Sequence, residues 1–327
     1  MYKVSVVIPI YNVEEYIVRC AESLFNQTLD DIQFIFVDDA SPDKSVSLLE
    51  QTLEQFPQRK PHTIILHHSQ NMGLPTARAT GLAHVKAPYV AHCDSDDYVE
   101  PTMYEELYQC ATENNSDMVI CGWIKHLIDG EEIAMMDKPI PDDSLIYNFL
   151  YGHFYPSVWP RLTRTDIYRR VQFPKDNYLE DLVQTAQLLT YTSKISFVND
   201  CLYHHIWNFL SITKDMRPDV IGEKFQQCLS NYILMHDFIV RHHPVKEKDF
   251  YLTKRSIRQH FYSFDKLRII RKQILQAFPN SDILSLFNRR ITWRQRISSL
   301  LFFLGLHLTV KRVYALINKK TISRKQA

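Results

Sequence analysis

The 327-residue chain reads as an α/β protein, a mostly parallel, Rossmann-like sheet flanked by helices and followed by a helical C-terminal extension. Three observations predict this. Apolar runs alternate with stretches of helical spacing through the first 123 residues. The runs are continuously apolar, as strands buried on both faces are. Two of them stop at carboxylates, and in open sheets ligands bind beyond the carboxyl ends of the strands.

The elements follow in order. Val4–Ile10 is the first strand and leads into Tyr11 and Asn12. Ile17, Cys20, Ala21, Leu24 and Phe25 recur at helical spacing. Residues 32–37 form a second strand that stops at Asp38 and Asp39. A weaker helix carries Leu48, Leu49 and Leu53, with Ser41 as its cap and Pro42 in its first position. Thr63–His67 is the third strand, 74–85 a helix, Tyr89–His92 the fourth strand and 118–123 the fifth.

Residues 90–97 read Val-Ala-His-Cys-Asp-Ser-Asp-Asp. Three carboxylates at one strand end repel one another and are costly to desolvate. A hard cation such as Mg²⁺ or Mn²⁺ would make the crowding tolerable, with phosphate oxygens in its open positions. On these residues alone, an acidic turn capping the next helix is an equal reading. Tyr11, Asp38, Asp39 and Asp94 to Asp96 all lie just past strand ends, and that convergence points to a nucleotide site. The chain has 7 glycines, none in a Gly-x-Gly-x-x-Gly or Walker-type loop, so metal and side chains must neutralise phosphate.

Four segments then occur in sequence: Val6-Val7-Ile8-Pro9-Ile10-Tyr11-Asn12, Val37-Asp38-Asp39-Ala40-Ser41-Pro42-Asp43, Asn71-Met72-Gly73-Leu74-Pro75-Thr76-Ala77-Arg78 and Asp94-Ser95-Asp96-Asp97. Together they resemble the family 2 glycosyltransferases of bacterial surface-polysaccharide type, inverting enzymes with the GT-A fold. The resemblance covers roughly the first two thirds of the chain. It implies that Pro9, Tyr11, Asp38, Asp39, Asn71, Arg78, Asp94 and Ser95 line the nucleotide. Tyr11 would lie near the base, and Asp39 would accept from uracil N3–H. Asp38 would neighbour the ribose or act as a structural partner. Arg78, otherwise a surface helix residue, would face the nucleotide. Asp94-Ser95-Asp96 resembles the family's Asp-x-Asp element, with Asp96 as metal ligand and Asp94 on ribose or metal. Ala40 stands where the family often has Gly, so this turn is expected to avoid positive φ.

The segment Phe173-Pro174-Lys175-Asp176-Asn177-Tyr178-Leu179-Glu180-Asp181 resembles the family stretch whose carboxylate pair supplies the catalytic base. Asp181 is the expected base, with Glu180 as neighbour or substitute. A sugar hydroxyl is a poor nucleophile until a positioned carboxylate takes its proton. Without the resemblance, the pair reads as acids at a helix N-terminus. Trp159, Arg161 and Trp207 lie in segments resembling the acceptor side, although Trp159 also reads as a core residue. Ile206 replaces an Arg common in relatives. His204 or His205 could complete the shell of Mn²⁺ or Mg²⁺, or serve as a structural histidine.

The implied reaction moves a sugar from a nucleotide diphosphate sugar, UDP-linked, to a hydroxyl of a glycan or lipid-linked acceptor. The metal and Arg78 would offset charge on the leaving diphosphate. One rival is a sugar-nucleotide nucleotidyltransferase, which would want a glycine-rich basic loop after the first strand. Another is a non-catalytic sugar-nucleotide-binding scaffold. The expected organisation is a catalytic domain over 1–215, with halves 1–123 and 124–215, and a helical extension over 216–327. Helices are expected over 221–240 and 250–274.

The 6 cysteines show no Cys-x-x-Cys spacing, which predicts reduced thiols and a cytoplasmic setting. The first strand begins at once, so no signal peptide is expected. The net charge of +1 hides an asymmetry: residues 283–327 hold ten Lys or Arg and no acid. Within them, 297–310 is uncharged and apolar, but as a helix it would span only about 21 Å, short of a bilayer. Basic clusters around an apolar stretch fit an interfacial helix on an anionic inner membrane face, or a helix packed on the catalytic domain. No reading motif accompanies the charge, so nucleic acid is not an expected partner.

Overall fold

The computed structural model describes residues 1–141, 143–208, 211, 217, 219–262 and 271–279, with scattered positions from 286 to 304. Strand β1 (Val4–Ile10) is buried along its whole length, and β2 (Ile32–Asp38) is too. Each fully buried Val or Ile contributes about 1.5–3 kcal/mol relative to exposure, so these two strands anchor the sheet. Helix α1 (Ile17–Phe25) joins them, burying Ile17, Cys20, Ala21, Leu24 and Phe25 as its spacing predicts.

Helix α2 (Ser45–Glu54) begins later than expected. Ser41 does not cap it: its hydroxyl accepts from Asn12 N at 2.8 Å and donates to Asp43 Oδ1 at 2.7 Å. Ser41 therefore ties the β1 and β2 exits together. Ala40 is a second departure, with φ 55° where a negative value was expected. Its left-handed turn is held by Asp38 Oδ1, which accepts from Ser41 N at 2.8 Å.

Strand β3 (Thr63–His67), helix α3 (Leu74–Ala83) and strand β4 (Tyr89–His92) complete a parallel half in the order β3-β2-β1-β4. Gly81 lets α3 lie close on β1, since a Cβ there would sit 2.3 Å from Val7 Cγ1. This seating carries Arg78 into the protein.

The second half continues the same sheet with short β5 (Tyr98–Val99), helix α4 (Met103–Glu113), β6 (Met118–His126), β7 (Glu132–Met135), α5 (Leu145–Leu150), β8 (Arg161–Arg164), α6 (Thr165–Tyr168), α7 (Glu180–Tyr191) and β9 (Ile195–His205). The order runs on as β8-β6-β9-β5, with β7 on β6. β8 is antiparallel to β4 and β6, while β6 and β9 are parallel. The architecture is the expected GT-A-like α/β sheet with flanking helices.

Helices α8 (Ile221–His242), α9 (Tyr251–Tyr262) and α10 (Arg271–Ala277) form the helical C-terminal part. The expected helix over 250–274 falls partly on 263–270, outside the described residues. Phe225, Tyr232, Met235, Phe250 and Phe261 share one apolar cluster with Leu182, Val183 and Ala186 of α7. The extension thus packs against the helix that carries Asp181. Most of the basic tail lies outside the described residues. Among the described residues, no helix is long and apolar enough to cross a membrane.

Candidate active site

An acid beyond a strand end and two acids at a helix start meet at Arg78. Its side chain is 1% exposed. Nη2 donates to Asp94 Oδ1 at 2.7 Å, and Nη1 donates to Asp181 Oδ1 at 2.6 Å and to Glu180. Asp94 follows β4, whereas Glu180 and Asp181 open α7. One guanidinium therefore ties the expected donor rim to the expected base, because its planar fork serves several carboxylates at once. Burial works against the charged guanidinium, but the charges of Asp181 and Asp94 outweigh it and raise the Arg78 pKa.

This corrects the expected role of Arg78. It does not face an open nucleotide pocket, since Nη1 and Nη2 are committed to carboxylates. Glu180 is corrected too. At 2% exposed, held by Arg78 and Gln184, it cannot reach an acceptor hydroxyl and acts as the buried anchor of the cluster. Asp181 differs: its side chain is 25% exposed, and only Oδ1 is bonded to Arg78. Burial raises its pKa, against the lowering influence of Arg78 and Arg161. Leu179, just before Glu180, sits at φ 57°, a left-handed turn at the start of α7.

The Asp-x-Asp turn is pinned from β9. Tyr203 accepts from Asp94 N at 3.1 Å and donates to Asp97 Oδ2 at 2.7 Å. Asp97 Oδ1 accepts from Ile206 N at 2.7 Å. Asp97 is thus an anchor between strands, not a helix cap. Ser95 is buried beneath the turn. Asp96 Oδ2 accepts from Asn208 at 2.9 Å. Burial and the charges of Asp97 and Asp94 push the Asp96 pKa up to about 7.

Among the described residues, no three His, Cys, Asp or Glu side chains converge as a ready-made metal site. The donor set nevertheless fits a hard cation shared with substrate oxygens, because Asp96 carries crowding that a cation would relieve. His204 is not available for it. Nε2 meets Glu100 at 2.7 Å, Nδ1 meets His126 at 3.0 Å, and the ring stacks on Tyr98 at 4.2 Å. His205 stays near the acids, with Nδ1 3.4 Å from Asp97 Oδ2. Burial lowers its pKa, but the hydrogen bond and charge of Asp97 dominate and raise it.

At the expected nucleotide end, Tyr11 is 48% exposed beyond β1, and Pro9 is buried within it. Asp39 accepts from Met72 N and Gly73 N, both at 2.8 Å, and from His68 Nδ1 at 2.7 Å. Asn71 Oδ1 accepts from Gly73 N at 3.1 Å. Asp38 is the structural partner of Ser41 and of His67, 3.0 Å away. Gly73 has φ 89°, and a Cβ there would stand 2.4 Å from Asn177 Oδ1. Gly73→Ala should therefore destabilise the fold by about 1–3 kcal/mol in urea unfolding, and a change under about 0.5 kcal/mol would contradict this.

Two expected acceptor residues are core. Trp159 is buried and stacks on Tyr203 at 4.3 Å, so it offers no free face to a sugar. Arg161 is buried, donating to Tyr155 O at 2.5 Å and Thr185 Oγ1 at 3.1 Å and pairing with Asp137 at 3.3 Å. Trp207 is half-buried just after β9. Residues missed from sequence are Tyr203, Gln184, Asn208 and Arg19. Arg19 Nη2 donates to Asp96 O at 3.3 Å, and its guanidinium lies 4.8 Å from the Tyr98 ring centre. No local pattern marks them, since each meets its partner only through the fold.

This sheet, with acids gathered beyond its strand ends and a carboxylate-bearing helix facing them, defines a GT-A-type glycosyltransferase. Residues 5–186 match the family described as Glycosyl transferase family 2, and the chain belongs to that family. It is 29% identical over 235 residues to the uncharacterized glycosyltransferase EpsJ of Bacillus subtilis, covering 68% of this chain and 67% of EpsJ. Among solved structures, S. aureus TarS 1–349 in complex with UDP has a TM-score of 0.63 at 18% identity, covering 96% of this chain and 91% of that one. The mannosyltransferase PcManGT of Pyrobaculum calidifontis, in complex with GDP-Man and Mn²⁺, has a TM-score of 0.56 at 14% identity, covering 98% and 84%. At these identities the structural likeness is one of fold.

Proposed function

We propose that this glycosyltransferase transfers a sugar, with inversion, from a UDP-sugar to a hydroxyl of a glycan or lipid-linked acceptor in surface-polysaccharide synthesis, with residues 1–215 as catalytic unit. The observation that carries this is Arg78, which couples Asp94 on the donor rim to Asp181. Tyr11 gives the base an exposed aromatic face. Asp39 accepts three bonds of the roughly four a carboxylate can take, leaving one for a base N–H such as uracil N3–H. The TarS complex with UDP supports this donor class.

Asp181 takes the acceptor proton through Oδ2, while Arg78 holds Oδ1 and fixes the carboxylate plane. Attack by the hydroxyl opposite the leaving diphosphate inverts the anomeric carbon. When bound, Mn²⁺ or Mg²⁺ held by Asp96, with Asp94 and His205 beside it, would supply electrostatic stabilisation of the leaving diphosphate. Arg78 cannot share that duty. The Mn²⁺ in the PcManGT structure supports the metal.

The test is a screen of sugar nucleotides for release of nucleoside diphosphate with and without Mn²⁺. Mn²⁺ should stimulate release, and Asp96→Asn should lose about 10–100-fold of the stimulated rate. Binding without any release would identify a scaffold instead. We also propose that the basic tail holds the enzyme on an anionic membrane face. Deleting 283–327 should reduce the fraction bound to phosphatidylglycerol vesicles, and unchanged binding would end that proposal.

A further inference from the structure

Arg78 leaves one donor unexplained. Its Nε is buried and has no hydrogen-bond partner among the described residues. A buried donor on a charged group is costly to leave unpaired. His92 is the second such case. It is wholly buried at the end of β4, two residues before Asp94, and neither ring nitrogen has a partner among the described residues. Thr163 Oγ1 is the third. Thr163 pairs with Val90, which puts it on the same sheet face as His92.

Contacts link His92 to Arg78 through three intervening side chains. The His92 ring lies 4.9 Å from that of Tyr168. Tyr168 donates to Gln184 Oε1 at 3.0 Å, Gln184 donates to Glu180, and Glu180 accepts from Arg78. The chemistry is complementary. A guanidinium offers only donors, whereas a neutral imidazole offers an acceptor nitrogen. An internal water needs two to four polar partners; Nε–H and the imidazole nitrogen would be two of them, and the Thr163 hydroxyl lies on the same sheet face.

We propose that His92 is a positioning residue for Arg78: one ring nitrogen accepts from Arg78 Nε–H through a single internal water. His92 thereby fixes the guanidinium that holds Asp94 and Asp181. The proposal deepens, and rests on, the reading of Asp181 as base.

Two experiments decide it. A high-resolution crystal structure of the wild-type chain should show an ordered water within about 3.2 Å of both Arg78 Nε and a His92 nitrogen. Absence of that water, or an imidazole bonded elsewhere, overturns the proposal. His92→Phe keeps the ring against Tyr168 but removes both nitrogens. Sugar-transfer kcat should fall about tenfold or more while donor KM stays within about threefold. His92→Asn or His92→Gln, whose amide stands in for one nitrogen, should restore most of the rate. A folded His92→Phe that keeps transfer within about twofold of wild type also overturns it. If His92→Phe does not fold, the crystal structure decides. If the wild type turns over no sugar nucleotide, the functional reading fails, and the crystallographic result still stands.

Discussion

Asp181→Asn should lower sugar transfer by about 10²–10⁴-fold while leaving UDP affinity within about threefold, because the base that we propose Asp181 to be acts only in the chemical step. Asn keeps the shape and can still accept from Arg78, but it cannot take a proton. The effect should fall on kcat. The pH profile adds a second reading. Burial raises the Asp181 pKa despite Arg78 and Arg161. Its folded value lies above the unfolded one, so its contribution to stability is full at low pH and fades as pH rises through the folded value. Activity runs the other way, since the base is competent only once deprotonated. The acid limb of kcat should therefore lie above the ordinary aspartate value of 3.8 and vanish in Asp181→Asn. A variant with near wild-type kcat would remove Asp181 from the mechanism.

Arg78→Met should lower the unfolding free energy by about 3–5 kcal/mol at pH 8, the range for stripping a partner from buried charges. Met matches much of the length of Arg, so the loss is electrostatic more than steric. Asp94, Glu180 and Asp181 would each lose their shared donor. They would become neutral more readily as pH falls, and the gap to wild type should narrow toward pH 5. Arg78→Lys should recover only part of the loss, because one ammonium cannot match the planar fork. Urea unfolding at both pH values checks this, and a loss under about 1 kcal/mol at pH 8 would contradict the clamp.

Much of the first half was legible. β1 and β2 announce themselves by runs that are apolar but for Ser5 and Gln33, and the acids after β2 and β4 mark the edge where a ligand was expected. What stayed hidden depends on long-range contacts. Arg78 and Glu180 are 102 positions apart, so nothing local shows that they pair. Ala40 carries a Cβ, and only the bond from Ser41 N to Asp38 reveals why its positive φ persists. Trp159 was ambiguous because an aromatic suits a sugar face and a core equally well. Tyr203 and His205 on its faces decide for the core. His204 and His205 are adjacent and alike in sequence, but alternation along β9 sends them to different neighbours: His126 and Glu100 for one, Asp97 for the other.

A crystal soaked with UDP and MnCl₂ should show an anomalous manganese peak at Asp96, the ribose and diphosphate along Asp94 to Asp96, and the uracil beside Tyr11 and Asp39. The open side of the diphosphate should face Asp181. Nucleotide and ion bound away from this rim, with Arg78 still clamped on its three carboxylates, would contradict this.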